Sequence, residues 1–314
     1  MTLTNIPFPE ENPFSRIKLR HIFGWYCLLG TGISFQMGMI GYTRGIPFDG
    51  KTPLDPFFNV ILSTYLEILL LALVWRQCRL AGIEIKYLVG KVPTHYQWLP
   101  LVGLAIASVF FSIGFFRIFY YPLSFIVPSF VENLLINNRS SSILITASTS
   151  FFPALYYLIF AIYSYAISPI FSAFIFLAIF LHRLAAKWGK TPAIIAFFLL
   201  SLISYNFISS VIATFINVIL YVKTRSLLVL IIFVVLKNII LGIWNLSYTT
   251  FLDNQAGSTL DVFRSQVQLG VLFFVVSAPW VIGFIYKNWS VLKGPLPYFA
   301  NAAEAEKIKA DSET

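Results

Sequence analysis

A chain of 314 residues that is 58% hydrophobic and 11% charged is not a soluble domain, which carries roughly 25% charged residues. Its net charge of +9 does not point to nucleic acid, because the basic residues sit between apolar runs. There they set membrane orientation and meet anionic head groups.

Taken in order, residues 1–21 read as a polar arm without a cleavable signal, with Arg16, Lys18 and Arg20 beside the membrane. The first span is expected over 22–42, where Gly30, Gly32, Gly38 and Gly41 offer a small-residue face for close packing. The second covers 57–75 and the third 98–118, with Arg117 at its end, free to snorkel. Residues 128–142 read as a polar loop containing the sequon Asn138-Arg139-Ser140.

Residues 152–184 carry no charge before Arg183, too long a run for one straight span of about 20 residues. Pro169 predicts a kink in one long tilted helix. Residues 191–222 are uncharged and fit two short spans broken near Tyr205. Spans seven and eight are expected over 227–246 and 269–286, followed by a frayed polar tail.

The expectation is therefore an all-helical integral membrane protein with about eight spans. It divides into an arm (1–21), a three-span region (22–151), a core (152–246), a loop with the last span (247–287) and a tail (288–314). With both termini in the cytoplasm, or its organellar equivalent, only Arg44, Lys51, Arg139 and Arg264 fall in outside loops. Most of the 22 Lys and Arg then lie inside, which favours one kinked helix over two spans.

Chemistry-bearing residues are sparse. Cys27 and Cys78 make neither a disulfide framework nor a metal site. His21, His95 and His182 read as interfacial or satisfied histidines. Glu67 and Lys237 are ionisable groups near the centres of apolar spans, where such groups are costly and are functional candidates. They are expected either to pair or to face one residual pocket with Tyr205 and Asn238.

Ser168-Pro169-Ile170, Phe176 and the run His182-Arg183-Leu184-Ala185-Ala186-Lys187-Trp188-Gly189 resemble the first signature of the CAAX protease and bacteriocin-processing (CPBP, or Abi) family. Pro192-Ala193-Ile194-Ile195 and Thr224-Arg225-Ser226-Leu227 resemble the starts of its second and third motif helices, the latter its T-G-S-L turn. The resemblance covers about residues 152–246 and implies a CPBP-type helical bundle.

In active members of that family a glutamate and histidines activate water against a peptide carbonyl, with or without a metal. The resemblance places the paired glutamates on Ser172 and Ala173 and the motif arginine on Leu177. It places the second motif on Ser201 and Tyr205, and the last histidine and asparagine on Val234 and Asn238. Only Asn238 is retained. Ser172, Ala173 and Val234 are not bases at neutral pH, and no donor cluster for a metal remains, so no cofactor is expected.

The resemblance thus implies a pseudoprotease, a binding, assembly or scaffold subunit for another membrane protein. Its setting would be a bacterial inner membrane or an organellar membrane such as the thylakoid. The alternatives are an active CPBP endopeptidase using displaced residues, or a small-solute transporter.

Overall fold

The computed structural model describes residues 12–43, 56–140, 153–201, 207–253 and 259–313. Among these residues the chain is helical with no strand. Helices α1 (Leu19–Thr43), α2 (Pro56–Leu80), α3 (Ile85–Val89), α4 (Trp98–Ile126) and α5 (Pro128–Ser140) precede the long α6 (Pro153–Trp188). Then come α7 (Lys190–Ser201), α8 (Phe207–Thr224), α9 (Leu227–Asp253), α10 (Thr259–Ser265), α11 (Val267–Asn288) and α12 (Pro297–Glu313). Five of them, α2, α4, α6, α9 and α11, contain stretches long and apolar enough to cross a membrane. The chain is an all-α, multi-pass membrane protein.

Helix α6 lies at the centre. Its first half packs on α2, its middle on α9 and its end on α7, while α4 pairs along its length with α11. Helix α1 leans on α2 at the periphery. At Gly30 and Gly32 the expected glycine face of α1 meets no other described helix: a Cβ at either would meet open space.

Pro169 leaves α6 continuous, and the adjustment comes just before it. Residues Tyr163–Ile167 form a widened turn in which the Ser168 N–H reaches back five residues to the Tyr163 carbonyl. A proline ring clashes with the carbonyl four residues back and donates no N–H, and widening the preceding turn relieves both. A second widened stretch, Ala173–Phe180, follows with no proline to explain it. Gly189, at φ 82°, ends the helix, its N–H bonded to the Ala185 carbonyl.

Four segments differ from expectation. Residues 128–140 are a helix, not a loop, so the sequon lies in α5. Val131 and Leu134 of α5 join Tyr120, Leu260 and Phe263 in a small core of their own. Helix α4 continues to Ile126, so Arg117 lies within it, buried, and donates to the Gln266 carbonyl at 3.0 Å instead of snorkelling.

The N-terminal arm is anchored: Phe14 and Ile17 are fully buried, and Arg183 Nε donates to the Ile17 carbonyl at 2.8 Å. The tail forms α12, which packs on α3 and buries Tyr298 and Ala300. Asn301 Nδ2 donates to the carbonyls of Tyr87 (2.8 Å) and Arg225 (3.0 Å), tying the tail to two turns at one end of the bundle.

Candidate functional site

The described positions that the CPBP resemblance marks as reactive fall on α6, α7 and α9. Ser172 Oγ donates within its own helix to the Pro169 carbonyl at 3.1 Å. Ala173 and Leu177, on the second widened stretch, are 2% and 5% exposed, and Val234 of α9 is 8% exposed. All three belong to one apolar core with Phe174, Phe233 and Leu230. Ser201 Oγ donates to the Phe198 carbonyl at 2.6 Å. Tyr205 lies outside the described residues. Asn238 is half-buried on α9. Apart from Asn238, the described positions among these present packed hydrocarbon and hydroxyls turned onto their own helices.

A polar contact between apolar helices lies elsewhere, where α2 crosses α6. Glu67 Oε1 accepts hydrogen bonds from Tyr163 Oη at 3.0 Å and Ser168 Oγ at 3.2 Å. Its other oxygen, Oε2, is buried without a hydrogen-bond partner. The widened turn is what makes this possible. In a regular α-helix residues five apart point about 140° away from each other. A turn closed five residues back brings them toward one face. Pro169 thus widens the turn, and the wide turn aims two hydroxyls at one carboxylate oxygen.

The expected Glu67–Lys237 ion pair is not formed. Helix α2 packs on α6, and no ion pair joins Glu67 to Lys237 among the described residues. Lys237 and Asn238 belong to α9, which packs on the same stretch of α6, Tyr163–Ser172, that α2 does. Equal depth in the bilayer sets the level of two groups but not the direction each faces. Tyr163 carries no signal in the sequence, and Ser168 stands out there only as part of Ser168-Pro169-Ile170, not as a partner of Glu67. The available signal was a carboxylate in an apolar span, which requires hydroxyl or cationic partners at its own level.

Replacing Glu67 with Leu strands both hydroxyls and is expected to lower stability by about 1–3 kcal/mol for each one left unpaired. Glu67→Gln keeps an acceptor oxygen in place and is expected to melt close to the parent. Thermal unfolding of the three proteins in one detergent checks this. Equal melting of the Leu variant would mean the two hydroxyls find water or lipid partners.

Outside the membrane the electrostatics are local. Lys86 forms a 2.5 Å pair with Glu84, which raises its ammonium above the usual lysine range. Burial pushes Lys190 down to about 8, while its Nζ donates to the Gly294 carbonyl. Among the described residues no three of His, Cys, Asp and Glu converge as a metal site would require.

His182 is buried beneath the chain ends. Its Nδ1–H donates to the Ala178 carbonyl at 2.7 Å, and Nε2 accepts the Tyr298 N–H at 3.3 Å. Its ring stacks on Phe14, with centroids 4.9 Å apart. Both ring nitrogens are thereby occupied in holding structure. Compared with known protein families, with characterised proteins and with solved structures, the chain matches none.

Proposed function

We propose that this chain is a catalytically inactive CPBP-type membrane protein that binds and holds another membrane protein, as an assembly or scaffold subunit. One observation carries the reading. At the positions where the resemblance puts a glutamate, an arginine and a histidine, Ala173, Leu177 and Val234 are side chains of a dry core. A hydrolytic site needs a base and a water-filled approach to a carbonyl, and these residues supply neither.

The scaffold features fit the same reading. Helices lie at all eight expected apolar segments, consistent with eight spans and with both termini on the Lys- and Arg-rich side. The turn resembling T-G-S-L carries Arg225 at φ 54°, a left-handed conformation that favours the glycine the motif has there. The inner membrane of a bacterium or an organellar membrane is the setting the resemblance suggests.

The test is mild-detergent purification of the tagged protein from its native membrane. One membrane protein recovered at near-stoichiometric yield, and lost or degraded when this chain is deleted, is the expected result. The chain recovered alone, together with a membrane substrate left uncleaved in the deletion strain, would overturn the reading in favour of protease activity.

A further inference from the structure

A groove of about 830 Å³ opens at the end of the bundle where α4 begins and α8 and α11 end. Its walls are apolar, built from Leu101 and Leu104 of α4 and from Trp280 and Phe284 of α11. Its rim is basic. Lys223 and Lys287 both line it, and the Lys223 ammonium stands over the Phe284 ring, 5.8 Å from its centre. No acidic residue lines the groove, and neither lysine is paired with a carboxylate among the described residues.

Two further features lie at the rim. Gln97 caps the start of α4 without a side-chain bond, leaving first-turn N–H groups available to an outside acceptor. His95 holds φ 61°, a strained conformation for a residue with a Cβ, and such strain gathers at ligand-binding loops.

We propose that this groove binds one anionic membrane phospholipid, with its phosphate between Lys223 and Lys287 and an acyl chain along Trp280 and Phe284. The charge at the rim calls for an anion. The apolar wall below it calls for hydrocarbon, and one molecule that joins the two at this depth is a phospholipid. The wall also continues outward, since Trp280 is 68% exposed and Val276, one turn away on the same face of α11, is 58% exposed, so a chain leaving the groove stays in contact with the bilayer. The assignment is independent of whether the protein is a pseudoprotease.

Native mass spectrometry of the full chain tests it, using phosphatidylglycerol and phosphatidylcholine with identical acyl chains and soluble glycerol 3-phosphate as a competitor. Phosphatidylglycerol is expected to stay bound at activation energies that strip phosphatidylcholine. The double variant Lys223→Gln/Lys287→Gln is expected to bind it about thirtyfold more weakly. Lys223→Arg/Lys287→Arg should keep most of the affinity.

Equal retention of the two lipids would overturn the proposal, as would undiminished binding by the double Gln variant. Displacement of the lipid by glycerol 3-phosphate at comparable concentration would assign the groove to a soluble phosphate instead. The comparison of the two lipids uses the unmodified protein, so it decides the matter even if a variant fails to fold.

Discussion

Gly114→Leu is expected to abolish the folded, monodisperse protein, and Gly114→Ala to cost about 1–3 kcal/mol. A Cβ on Gly114 would sit 2.6 Å from the Phe274 nitrogen and 2.7 Å from the Gly270 carbonyl oxygen. Both neighbours are backbone atoms of α11, so no side chain can swing aside and the helices must part. The contact is reciprocal: a Cβ on Gly270 would meet Arg117 Cβ at 2.6 Å.

Around this crossing Phe110 stacks on Phe273, centroids 4.8 Å apart and 7° from parallel, and Phe111 packs on Phe274 at 5.1 Å. Lipid supplies little hydrophobic drive for helices to associate, so close packing of this kind is what holds α4 to α11. Separating the pair would also pull Arg117 from the Gln266 carbonyl it bonds. Gly103 of α4, whose Cβ would meet nothing within 4 Å, is the control, and Gly103→Ala is expected to be neutral or slightly stabilising. Detergent size-exclusion profiles and thermal melts read both outcomes. A normal melt for Gly114→Leu would mean that the helices do not cross this closely.

What could be read from the sequence was local. Charge-free length placed the apolar helices, Pro169 marked where α6 must adjust, and Gly189 ended it. What could not be read depended on direction or on distant partners. Glu67 and Lys237 were located along their helices, but helix rotation sends Glu67 to Tyr163 and Ser168. The widened turn of α6 brings those two hydroxyls to one face, and no pattern of apolar residues announces it.

The two chain ends failed for different reasons. Phe14 and Ile17 lie in a stretch that looks polar and gain their burial from residues far away in sequence, including His182 and Tyr298. The charges of α12 suggest a frayed tail, but its helix propensity prevails. Residues 300–309 are rich in Ala, Glu and Lys, all strong helix formers, and the segment needed only the anchor at Tyr298 to dock.

His182→Ala is expected to lower stability by about 3–5 kcal/mol, with the loss concentrated at the two chain ends. The ring is fully buried and fills the space between Phe14, Tyr221, Tyr298 and Phe299. Removing it opens a cavity and strands the Tyr298 N–H, which then has no acceptor at Nε2. His182→Phe separates the two contributions. It keeps an aromatic ring against Phe14 but leaves that N–H unpaired, so its expected cost is about 1–3 kcal/mol. In both variants the turn at Pro13–Arg16 and helix α12 lose their shared anchor, while α4, α9 and α11, which do not rest on this ring, stay packed. Limited trypsin digestion in detergent reads the difference through Arg16, Lys18, Lys307 and Lys309. Faster cutting at these sites, with the spans still protected, places the ring as the pin joining both ends to α6. A His182→Phe protein as resistant and as stable as the parent would show that stacking alone holds the ends, with the Tyr298 hydrogen bond contributing nothing.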